Sequence, residues 1–290
     1  NLVILYNMSV ALPSELDFSL PMSLPDNRSY ELRTQPNNAS TFSSQGSVIQ
    51  ISLPQLQRSF YESNSTYLTG RITITANNNT NPIYMNPAGA YGVFSRWTVR
   101  TSGGQTLEDL QNPGYVANLL LNAGLTSAER RSCANTMLLN ERNDDSNVGM
   151  SFNTAVAGRA TILDFAIPMI GLLNMTKYLP AYGTELILEL TIAPSSSWAI
   201  SSNAATTLDA FTISNVELVT QVLEFSPSSF QMIQQQYADK IVLKSETYSF
   251  GSTTLAAQSA GVVDIPFQIR CNSLKRLFMI ISPNTAVEGV

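Results

Sequence analysis

Few residues in this chain have the type and spacing that chemistry requires. The densest acidic group is Glu141, Asp144 and Asp145. Three oxygen-bearing side chains this close could bind Ca²⁺ or supply a carboxylate pair. Beside Arg142 the same residues also make an ordinary solvated loop. Glu108 and Asp109 fall near an expected helix start, where the helix dipole favours negative charge. Cys133 and Cys271 share no CxxC spacing and read as two buried free thiols, with a reducing compartment as the default. Asn-x-Ser/Thr sequons begin at Asn7, Asn27, Asn38, Asn64, Asn78 and Asn174, as chance allows in a chain rich in Asn, Ser and Thr.

The chain contains no histidine. That removes the commonest general base and the commonest transition-metal ligand. Ser-His-Asp and Cys-His catalysis cannot be assembled from this chain alone. GxGxxG, GxxxxGK[ST], GxSxG and the EF-hand pattern are all missing. No catalytic residue, cofactor-binding residue or metal ligand is therefore assigned. The expectation is a protein that is not an enzyme and needs no cofactor.

Composition points the same way. Of 290 residues, 44% are hydrophobic and 13% charged, against about 25% charged in an average soluble domain. Low charge suits a surface covered by neighbours, because interface cores are depleted in charge. The net charge is −5 and no cationic run exceeds Arg130-Arg131. A grip on nucleic acid needs clustered cations, so direct nucleic-acid binding is not expected. No apolar stretch reaches the length of a transmembrane helix. Neither end reads as a natural terminus, which suggests a piece of a longer polypeptide.

The elements that would carry these residues are mostly strands. Residues 13–46 are rich in Pro, Ser, Asn and Asp and predict an extended arm with turns. Alternation and composition predict strands at 47–53, 67–76 (alternating from Arg71), 93–101, 160–168, 184–193 and 211–225. Leu107, Leu110, Val116, Leu119 and Leu120 fit a helical period, and Thr126 with Glu129 has the spacing of a capping box. Together they predict a pair of short helices inserted between strands. Residues 141–158 predict a loop. Ser228–Ala238 predicts a helix connecting two β units, followed by strands at 241–250, 261–269 and 274–282. The fold class is all-β, a jelly-roll β-sandwich with short inserted helices.

Three runs carry a family resemblance. Trp97 through Asn112, with its Gly103-Gly104 turn and its Glu108-Asp109 step, resembles a segment of the double jelly-roll major capsid proteins of eukaryotic DNA viruses. Tyr178-Leu179-Pro180 followed by Leu186–Thr191, and then Phe211–Leu218, are similar to two later strands of that family. Polinton-like viruses, virophages and their giant-virus cousins are the relatives the runs resemble. The resemblance implies the N-terminal part of a double jelly roll. It comprises an arm over 1–46, a first jelly roll over 47–226, a connector helix over 227–240 and the start of a second jelly roll over 241–290. It further implies homotrimers forming pseudo-hexagonal capsomers of an icosahedral virion, assembled in the host cytoplasm or nucleus alongside minor capsid proteins. A secreted or surface β-sandwich that binds a glycan or receptor is the alternative. A carboxylate-dependent hydrolase using Glu141, Asp144 or Asp145 ranks third.

Overall fold

A computed structural model describes residues 26–76, 83–139, 151–152, 161–201, 208–237, 243, 245–251 and 274–278. The strands of the first half are β1 (Asn27–Thr34), β2 (Thr41–Phe42), β3 (Val48–Leu53), β4 (Ser59–Ala76), β5 (Ile83–Met85), β6 (Phe94–Thr101) and β7 (Thr106–Gln111). Helices α1 (Pro113–Gly124) and α2 (Ser127–Met137) follow. Then come β8 (Ser151–Phe152), β9 (Thr161–Pro168), β10 (Leu179–Pro180), β11 (Leu186–Ile192), the single turn α3 (Ser195–Trp198), β12 (Ala199–Ser201), β13 (Leu208–Phe225) and α4 (Pro227–Tyr237).

Every strand pairing among the described residues is antiparallel. The first sheet runs β1-β13-β4-β10, with β2 also on β13 and β9 also on β4. The second runs β3-β11-β6-β7, and a small third sheet runs β12-β5-β8. The alternation of β11 explains its place. Leu186, Leu188, Leu190 and Ile192 are buried, while Ile187, Glu189 and Thr191 are half-buried on the other face. Its neighbours supply Ile49, Ile51 and Leu53 from β3, and Trp97 and Val99 from β6. The first sheet answers with Leu68, Ile72 and Ile74 of β4, Phe165 and Ile167 of β9, and Ile213, Leu218 and Val222 of β13. Burying each such side chain contributes about 1.5–3 kcal/mol, so this apolar layer holds the two sheets together.

Five sequence expectations are corrected. Residues 13–46 are not wholly an unpacked arm, because Asn27–Thr34 pairs along β13 from Phe225 to Leu218 and Phe42 is buried. Tyr30 and Leu32 pack against the core while Glu31 and Arg33 point outward, an alternation only four residues long inside a Pro-, Ser- and Asn-rich stretch. Thr106–Gln111 is a strand and not a helix start. The Gly103-Gly104 turn folds it back on β6 as a hairpin. Ser151–Phe152, inside the expected loop at 141–158, forms a short strand on β5. Cys133 is half-buried and not buried, and Cys271 lies outside the described residues. Residues 245–251 and 274–278, expected as strands, carry no regular secondary structure. Alternation alone does not make a strand; a hydrogen-bonded neighbour must be present.

The helices follow their caps. Pro227 stands at the first position of α4, where its missing N–H costs nothing. Thr126 and Glu129 form the expected capping box on α2. Thr126→Ala is expected to cost about 1 kcal/mol, read as a lower midpoint in urea with an unchanged slope.

Candidate assembly surface

Glu141, Asp144 and Asp145 lie outside the described residues. Among the described residues no group of three His, Cys, Asp or Glu side chains comes together. The structure separates the Glu108-Asp109 pair. Alternation along β7 turns Glu108 inward beside Leu110 and sends Asp109 outward. Asp109 accepts two hydrogen bonds from Arg96 on β6, at 2.7 and 2.6 Å. Glu108 Oε2 accepts the Leu172 N–H at 2.8 Å. Burial pushes the Glu108 carboxyl above the usual range, opposed by the Leu172 amide and the Thr247 hydroxyl. Neither acid sits at a helix terminus.

The outer faces of the sheets are neutralised strand against strand. Arg96 pairs with Asp109 and Arg100 with Glu189 on the second sheet. Arg71 pairs with Asp164 on the first, while Arg33 bridges Glu31 and Glu217. Such exposed pairs contribute about 0–1 kcal/mol each. Where the partners stand on adjacent strands, as in every pair here but Arg33–Glu31, their larger effect is on register.

Sheet edges decide where another chain could add. The β3 edge is already occupied. Asn37 N–H donates to Gln50 O at 2.8 Å, and the Asn38 side chain donates to Val48 O and accepts from Gln50 N–H. That places the Asn38 sequon in a structural contact, whereas Asn27, Asn64 and Asn174 are exposed. Edge strands β7 and β9 each carry an exposed large apolar side chain, Leu107 at 44% and Ile162 at 55%. Between β9 and α2 lies an open depression of about 500 Å³ walled by Thr69, Asn135, Thr136 and Asn215.

At one end of the sandwich Phe230 anchors α4. Its ring meets Tyr182 edge-on at 5.0 Å, and Phe60 meets both Tyr182 and Phe225. The same helix presents Gln231, Met232 and Gln234–Gln236 to solvent, an uncharged face. A helix rooted in the core on one side and neutral on the other is suited to lie between β units.

No protein-family model matches the chain, and no curated protein matches it. Solved structures do. The Faustovirus major capsid protein superposes with a TM-score of 0.50 at 11% identity, over 76% of this chain and 58% of that one. The fold is the jelly roll of viral major capsid proteins. The PBCV-1 virus capsid matches at 0.46 and 13% identity over 74% of this chain and 46% of that one. The Sputnik virophage structure matches at 0.47 and 10% identity, over 78% and 53%. The chain thus spans about half the length of the structures it matches. At these identities the likeness concerns the jelly roll and not the residues upon it.

Two features of this jelly roll were hidden in the sequence. Glu108 looks like any surface acid, and only the Gly103-Gly104 hairpin signal, with alternation counted from Val99, would place it inward. The Asn37-Asn38 cap on β3 has no sequence signature beyond two adjacent asparagines.

Proposed function

We propose that this chain is the front portion of a shell-building capsid protein. Three copies would form a pseudo-hexagonal capsomer, and capsomers would tile an icosahedral virion, joined by minor capsid proteins. The observation that carries this reading is the two-sheet antiparallel sandwich, whose jelly roll superposes on the Faustovirus major capsid protein. In this reading the first jelly roll begins with β1 at Asn27 and ends with β13, α4 is the connector, and a second jelly roll starts beyond it.

The role is mechanical. Neutral faces and a low charge density let neighbours pack without desolvating many ions, which is the costly part of burying a charged surface. The exposed apolar side chains on the β7 and β9 edges add area that only a neighbour would remove from water. A glycan- or receptor-binding sandwich would use the depression beside α2, yet among the described residues it offers no exposed aromatic platform, since Phe165 in its lining is buried.

The test is the mass of the purified polypeptide containing this chain, by light scattering during size exclusion. A trimer that persists on dilution to low micromolar is expected. A monomer at every concentration sinks the reading, and glycan-array binding by that monomer would favour the alternative.

A further inference from the structure

β1 lies at one edge of the first sheet, with β13 on one side and no strand among the described residues on the other. Its neighbours fix which of its backbone groups are free. Ser226 N–H donates to Asp26 O at 3.0 Å, while Phe225 N–H turns the other way, to Arg58 O at 3.0 Å. From there the β1–β13 register runs without a shift, from Asn27 opposite Phe225 to Thr34 opposite Leu218. An antiparallel ladder alternates bonded and non-bonded pairs. Arg28, Tyr30, Leu32 and Thr34 therefore turn their backbone groups to β13, and Ser29, Glu31 and Arg33 turn theirs to the open edge. Among the described residues nothing bonds those open groups, whereas Asn37 and Asn38 close the β3 edge.

The side chains add a charge pattern. Ser29, Glu31 and Arg33 are exposed, while Tyr30 and Leu32 lean on the core. Charge on an edge strand ordinarily guards against pairing. Here, however, Glu31 and Arg33 stand two apart with opposite sign, bonded to each other at 2.7 Å. Such a pair is complementary to itself when a second copy runs antiparallel. A twofold axis through the ladder must pass between two copies of one residue, because bonded and non-bonded pairs cannot exchange. Centring on Arg28, Glu31 or Arg33 sets like charges opposite each other, which is destabilising. Centring on Ser29 or Tyr30 leaves Glu31 opposite Asn27 or Ser29. Centring on Leu32 sets Glu31 opposite Arg33 of the second copy on both sides of the axis. Those residues carry the open backbone groups, so each pair can exchange both ladder hydrogen bonds. Leu32 then meets Leu32 at a non-bonded position, where facing side chains come closest.

We propose that β1 is a self-pairing edge, through which two copies of this chain join their first sheets antiparallel about a twofold axis at Leu32. Arg33, which bridges Glu31 and Glu217 of its own chain, then also serves Glu31 of the second copy. One short strand per copy is a small contact, in the range of weak interfaces. It is suited to linking larger assemblies of the chain. The contact requires two copies and does not rest on a shell-building role.

Disulfide trapping in the full chain tests this, in a Cys133→Ser, Cys271→Ser background that leaves only introduced thiols. Leu32→Cys places two sulfurs at a non-bonded pair whose Cα atoms stand about 4.5 Å apart, within disulfide reach. Mild oxidation should give covalent dimers. Ser29→Cys and Thr34→Cys lie off the axis, and each alone should give none. Tyr30→Cys mixed with Thr34→Cys should cross-link, which keeps the test decisive if Leu32→Cys fails to fold. Glu31→Arg should slow Leu32→Cys cross-linking on the order of tenfold, and adding Arg33→Glu should restore it. Urea midpoints establish folding. No dimer from folded Leu32→Cys, equal yields from every single-cysteine variant, or no recovery in the double charge exchange overturns the contact. An edge covered by another segment of the same chain gives the first of these results. Trimers without Leu32→Cys dimers would overturn this contact and leave the capsomer standing, and dimers without trimers would do the reverse.

Discussion

Trp198→Ala is expected to destabilise the fold by about 3–5 kcal/mol, the range for deleting a buried Trp or Phe side chain. Trp198 is fully buried and meets Phe211 of β13 edge-on at 5.5 Å. It sits at the end of α3, where the chain turns into β12 and the small third sheet begins. Its carbonyl receives the Asn86 N–H at 3.0 Å, and Asn86 also donates through its side chain to Ser197 O. Losing the indole would therefore leave a void beneath the third sheet and loosen the turn that starts it. Trp198→Phe should cost far less, because the Nε1 donor has no partner in its buried site and its removal relieves an unsatisfied group. Chemical denaturation of both variants checks this. Equal losses would mean that the cavity is not the cause.

Gly89→Ala should cost about 3 kcal/mol, more than backbone strain alone explains. Gly89 takes φ +61 in the short helical turn Gly89–Val93. A Cβ there would lie 2.4 Å from Met137 O and 2.8 Å from the carbonyl carbon of Leu138, at the end of α2. These are backbone atoms, and Leu138 is itself buried with φ +56. Neither can rotate away, so α2 must shift. Gly104→Ala separates the two causes. Gly104 has φ +85 with open space around the added methyl, so its cost should be about 1 kcal/mol of conformational strain. If both alanines cost the same in a denaturation experiment, the contact with α2 is unimportant.

Much of this architecture is legible in the sequence, and the illegible parts share a cause. β11 and β13 announce themselves because a half-buried strand must alternate, and the capping box at Thr126 works through side chains of the same helix. Local rules suffice there. Thr106–Gln111 fails because Leu107 and Leu110 stand three apart, which a helix and a bulged strand both permit. Its inward Glu108 is held by the N–H of Leu172, a residue far along the chain that no local pattern can see. β1 is obscured for a similar reason, since an edge strand needs only Tyr30 and Leu32 to reach the core. The assembly surface is less legible still. Nothing in the run Val48–Leu53 says that its edge is closed by Asn38, and nothing around Leu107 or Ile162 says that theirs is not.

Electron cryomicroscopy of the polypeptide that contains this chain, at several milligrams per millilitre, tests the shell-building role most directly. The account predicts threefold particles of pseudo-hexagonal outline that associate into closed shells. Isolated single-copy particles across the whole concentration range would contradict it.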